Sequence, residues 1–175
     1  MIFRLSQKLA KKLKVRLAGC LPPPSNPFVD WSANLFTVQR AQYIILTNTA
    51  SLYSVVMLGR GIADEGRFIS AALDSIREAL IANGQESLYR RFISSTTDPI
   101  AFSAALNRQV TGSMNDLILN AKLSIGERGI APFDADVELN LMPMSALGYG
   151  NPRDAFKALE GKQPTSESDN ADSVF

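Results

Sequence analysis

The chain has 175 residues, 46% of them apolar and 20% charged, with a net charge of +1. That is ordinary for a globular protein, is enough apolar material for a real core, and gives the molecule no overall bias toward polyanions. There is no histidine and only one cysteine, Cys20. This excludes Ser–His and Cys–His nucleophile activation, histidine acid–base chemistry, His-containing or cysteine-rich zinc sites and any intrachain disulfide. A lone thiol suits a reducing cytosol, and no apolar run approaches the roughly 20 residues that cross a bilayer.

Met1–Leu5 is apolar enough for a strand, and Ser6 fits the cap of a helix, its hydroxyl accepting a free backbone N–H. In that helix Leu9 and Leu13 share one face and the lysines lie around the rest. The first sixteen residues carry Arg4, Lys8, Lys11, Lys12, Lys14 and Arg16 with no acid. Lys8, Lys11 and Lys12 are therefore a candidate basic surface. Its plainer reading is a solvated helix face and its sharper one a contact with nucleic acid, although aromatics that could stack on bases are missing from the helix. The acid-free start also faintly suggests a transit peptide, for which the capped helix is the better account.

Leu21–Phe28 holds three consecutive prolines and reads as a stiff connector. The sheet is expected from Trp31–Arg60. A first strand starts at Trp31, a turn falls at Arg40-Ala41, and the apolar run Tyr43–Leu46 suits a central strand. Asn48–Ser51 supplies small polar turn residues, and Leu52–Leu58 forms the third strand. Links this short make antiparallel neighbours. Asp64 caps a helix to about Asn83, with Gly84 as its stop, and Ile69, Leu73, Ile76 and Leu80 form its apolar stripe. A short helix over Glu86–Phe92 follows, and Ile100–Leu106 is ambiguous between strand and helix. Asn107 caps another helix to about Ile125, with Val110, Met114, Leu117 and Ala121 inward. Val137, Leu139 and Leu141 alternate with polar neighbours as a further strand would, and Pro152 opens a last short helix. The expected fold is α+β: a mainly antiparallel sheet with a β-meander, packed by two longer amphipathic helices. Residues 1–160 form one domain, and 161–175 form a disordered acidic tail.

Catalytic motifs are absent. There is no GxxxxGK[ST] and no GxGxxG. Asp134, Asp136 and Glu138 are too few for an oxygen-ligand metal site and read as solvated acids on a strand edge. Asn115 and Asp116 sit in a helix interior against propensity, which can mark a site. Trp31, Asn34, Arg108, Asn115 and Asp116 are the candidate binding residues, although strand alternation puts Trp31 and Asn34 on opposite faces.

Several stretches resemble a known family: Ser6, Lys8 and Leu9 in the basic helix, Trp31–Thr37, Tyr43–Leu58, Asn107-Arg108, Gly112–Asp116, Leu139-Asn140 with Pro143-Met144, and Tyr149–Pro152. Together they resemble an uncharacterised bacterial domain-of-unknown-function family, some of whose members accompany plasmids. The resemblance implies a bacterial, cytosolic setting and brings no activity, cofactor or catalytic residue with it. The function expected is a non-catalytic binding or interaction module with a protein partner, accessory to a mobile element or a toxin–antitoxin-like system. The alternatives are a histidine-independent enzyme with a polar cleft, or nucleic-acid binding through the N-terminal helix. No metal, cofactor or membrane contact is expected.

Overall fold

The computed structural model describes residues 1–162. Its elements run β1 (Ile2–Leu5), α1 (Gln7–Leu13), β2 (Asp30–Val38), β3 (Ala41–Asn48), β4 (Ser54–Leu58), α2 (Glu65–Ala82), α3 (Glu86–Leu88), β5 (Ala101–Ser103), α4 (Arg108–Lys122), α5 (Pro132–Leu141) and α6 (Pro152–Ala158). A final 3-10 turn covers Glu160–Lys162. The rest of the acidic tail lies outside the described residues. Among the described residues no helix is long and apolar enough to cross a membrane.

The five strands form one sheet in the order β4-β3-β2-β1-β5. The expected meander is there, with β2–β3 and β3–β4 antiparallel. The sheet as a whole is mixed, however, and not purely antiparallel, because β1 pairs parallel with both β2 and β5. Two parallel neighbours need a long crossover. Residues 6–29 supply it for β2, with α1 and the proline connector, and α2 and α3 lie on the way to β5.

Alternation divides the sheet into two faces. One presents Phe3, Leu5, Trp31, Ala33, Leu35, Ile44, Leu46, Val55 and Met57, and is covered by α1 and α2. Ser6 caps α1 through the Leu9 N–H, and Asp64 caps α2 through the Arg67 N–H. Phe156 of α6 reaches into this core, 4.8 Å from Tyr53 and 5.0 Å from Phe28 between ring centroids. The other face holds Phe36, Val38, Ile45 and Val56 under Met114, Leu117, Ile118 and Ala121 of α4 and Leu139 of α5. Asn107 caps α4 as expected, accepting from the Val110 N–H.

Residues 132–141 are helical, which corrects the strand expected at Val137–Leu141. Pro132 stands at the first helical turn, where its missing N–H costs nothing. The buried residues are Ala135, Asp136, Leu139 and Asn140, a spacing that belongs to a helix. Asp134, Asp136 and Glu138 are therefore not solvated acids along a strand edge. The β2–β3 turn also shifts by one residue, to Gln39-Arg40. Both have positive φ, 46° and 70°, the geometry of a two-residue hairpin turn that matches strand twist. Gly126, just past α4, lies so close beneath this hairpin that a Cβ there would stand 2.8 Å from Val38 Cγ1.

Candidate functional site

Trp31 is wholly buried, and its indole N–H donates to the Phe28 carbonyl at 2.8 Å. Asn34 is half-buried on the opposite face of β2. Arg108 is exposed at the start of α4, and Asn115 and Asp116 are exposed on the outer side of the same helix. These five side chains do not converge on one cleft. Among the described residues no group of three or more acidic or cysteine side chains is placed to hold a metal ion.

Two polar arrangements were not visible in the sequence. The first is a row across the sheet, Ser103, Arg4, Ser32, Thr47 and Ser54, set side by side by strand register. Within it the buried Arg4 donates from Nε to Asp30 Oδ1 at 2.8 Å and from Nη2 to Asp30 Oδ2 at 2.9 Å. Its Nη1 reaches the Leu21 carbonyl at 2.8 Å and Ser103 Oγ at 3.3 Å. Thr49 Oγ1 donates to Asp30 Oδ1 at 3.0 Å. Each group spends most of its hydrogen bonds on the other and on neighbouring segments, and the two hold β1, β2, β5 and the connector together. Hollows of about 170 and 120 Å³ open nearby and share Thr49, Ala50 and Leu106. Both fall below the roughly 300–1,000 Å³ usual for small-molecule sites.

The second arrangement lies on the outer edge of β4. Asn140 Oδ1 accepts the Ser54 N–H and Nδ2 donates to the Ser54 carbonyl, each at 2.7 Å. One helical turn earlier, Asp136 Oδ1 accepts the Val56 N–H at 2.7 Å. Burial pushes the Asp136 carboxyl up to about 8, against the pull of that N–H. In this way α5 covers an edge that would otherwise be open to strand pairing.

A larger hollow, of about 700 Å³, opens at the far end of the sheet. It is lined by Lys12 of α1, Gln39 and Arg40 of the hairpin turn, Gln42 of β3, Leu58 at the end of β4, and Arg60 just beyond. Among the described residues its lining has three cations and no acid. Each residue has a local reason to be there. The two left-handed turn residues throw Arg40 past the sheet. Gly59 extends the β3–β4 ladder by donating to the Gln42 carbonyl at 2.8 Å, which brings Arg60 alongside. Lys12 donates to Gln42 Oε1, and Gln39 Nε2 donates to the Gly126 carbonyl at 2.8 Å. Lys8 stands one turn before Lys12 on the same side of α1, and both Lys8 and Lys11 are exposed. The structure thus joins the basic helix expected from sequence to Arg40 and Arg60.

A family model described as Domain of unknown function (DUF6933) matches residues 2–155. The chain belongs to this family. The DUF6933 match takes in all five strands and α1 to α5, so the polar row, the covered β4 edge and the basic hollow are all parts of the DUF6933 domain. Comparison with curated proteins and with solved structures returned no match.

Proposed function

We propose that this chain is a non-catalytic binding module that receives an anionic partner in the basic hollow. The carrying observation is that Lys12, Arg40 and Arg60, from three separate parts of the chain, converge on one open concavity with no acid among the described residues that line it. A net charge of only +1 makes this concentration of positive charge local, and local fields of that kind select and steer partners. The absence of histidine and the mutual pairing of the buried Arg4 and Asp30 favour binding over catalysis.

The test is fluorescence anisotropy with two labelled anionic probes, an acidic peptide and a single-stranded oligonucleotide, at low and high salt. The expected result is binding of at least one probe, weakened by salt and lost in the R40E/R60E double variant. Failure of both probes to bind at low salt would overturn the reading.

A further inference from the structure

The main-chain groups of β4 point alternately toward β3 and away from it. Gly59 N–H bonds to the Gln42 carbonyl and Asn48 N–H to the Tyr53 carbonyl, so the odd-numbered residues of β4 face β3. Ser54, Val56 and Leu58 face outward. Asn140 occupies the outward groups of Ser54, and Asp136 occupies the N–H of Val56. The pattern steps back four helix residues, about 6 Å, for every two strand residues, about 6.6 Å. The next partner would stand at position 132, which is proline at the helix start. The outward groups of Leu58 consequently have no helix side chain to meet, and among the described residues no hydrogen bond from α5 reaches them. Leu58 is 58% exposed and lines the basic hollow. Phe133, level with it by the same rise, and Val137 and Leu141 at successive turns are 48%, 42% and 45% exposed. Among the described residues a strand edge without a partner at Leu58 thus adjoins three cations, and the exposed apolar stripe of α5 starts level with it.

We propose that the anionic partner is an extended acidic segment of another protein, which adds as a strand to the open end of β4 at Leu58 and lays its carboxylates in the basic hollow. This rests on the reading of the hollow as an anion site. Main-chain pairing at the edge gives such a segment its affinity, and alternate side chains give it specificity. In the segment that fits, acidic residues turn toward Lys12, Arg40 and Arg60, and apolar residues turn toward Leu58 and Phe133. Charge complementarity selects an anion. A protein strand is favoured over nucleic acid because the outward main-chain groups of Leu58 can pair with a peptide backbone, and because the described lining of the cationic hollow itself contains no aromatic ring on which a base could stack.

The test uses the full chain and a labelled peptide of alternating Glu and Val, about ten residues long, in three forms. These are unmodified, N-methylated at alternate positions in one register, and N-methylated in the other register. Methylation removes main-chain donors without touching the protein or the peptide charge. The expected result is that one methylated register loses about tenfold or more in affinity, the worth of one to two hydrogen bonds, while the other binds like the parent. The oligonucleotide is expected to bind at least about tenfold more weakly than the parent peptide, lacking both main-chain pairing and stacking. Equal binding of all three peptides would overturn strand addition and leave the anion site standing. Preference for the oligonucleotide would overturn the choice of partner and again leave the anion site standing. No binding by any probe would overturn both readings.

Discussion

Asn140 pairs with Ser54 through both ends of its carboxamide, accepting the N–H and donating to the carbonyl at 2.7 Å each. A helix side chain thereby does what a neighbouring strand would do for β4. Both groups are buried, so their loss leaves two main-chain polar groups unpaired. We expect Asn140→Ala to cost about 2–4 kcal/mol, from two hydrogen bonds and the desolvation of their partners, measured by urea denaturation. Asn140→Asp should also destabilise, since it replaces the donor to the Ser54 carbonyl with an acceptor.

Asp136 supports a prediction in pH. Its carboxyl is raised by burial from 3.8 to about 8 in the folded chain. The folded state therefore holds a proton that the unfolded chain gives up, and stability is greatest below about 4 and falls as pH climbs through about 8. Tyr53, raised chiefly by burial and also by the charge of Asp136, stays neutral across this window. Asp136→Asn keeps the oxygen that accepts from Val56 and adds an N–H₂ that cannot ionise. The variant should be level with the parent in acid and more stable than it above about pH 8, as read from denaturation midpoints across a pH series. Parallel profiles for the two proteins would contradict this account of the edge.

The Arg4–Asp30 pair should be costly to break and less costly to replace. Arg4→Leu or Asp30→Leu alone leaves a buried charge without its partner, an expected loss of about 3–5 kcal/mol. Replacing both should recover part of that loss, because the desolvation penalty of two ions disappears along with their attraction. A double-mutant cycle by chemical denaturation measures the coupling. Additive single effects would show that the pair does not act as a unit.

Phe156 anchors the last helix to a core built by the first strands. Its ring meets Phe28, Trp31 and Tyr53. Phe156→Ala should lose about 3–5 kcal/mol through lost transfer and a residual cavity, while Phe156→Leu should lose much less. Calorimetry on the two variants separates packing from a general intolerance of change at α6.

Much of the meander and both long helices were legible in the sequence because each has its own local signal. Tyr43–Leu46 is apolar on both faces, as a strand covered on two sides must be. Asp64 and Asn107 stand where caps belong. Met1–Leu5 reads as a strand from its apolar residues, and Ile100–Leu106 as strand or helix, but nothing local signals their parallel pairing. β1 and β5 span four and three residues, too few for alternation to show, and their pairing is decided by distant segments. At Val137, Leu139 and Leu141 the apparent alternation misled, because two of the three are the exposed i, i+4 positions of a helix. Pro132 could have corrected it, as Pro152 did for α6. The candidate site was half visible. Lys12 stands out in the sequence with Lys8 and Lys11, but Arg40 and Arg60 lie in turns far along the chain, and only the closing of the sheet sets them beside it. Asp136 and Asn140 were recognisable as a polar pair on a buried helix face only once the helix itself was known.

The place of β1 inside the sheet also bears on synthesis. β1 and the meander of residues 30–58 are translated first, so the β2 side of β1 has its partner early. The other side of β1 stays bare until Ala101–Ser103 has been translated, and until then Arg4 lacks its contact with Ser103. Unpaired strand edges of this kind are where nascent chains stick to one another. A chain cut short before residue 101 consequently lacks the strand that covers this edge, and exposes β1 to pairing with other chains.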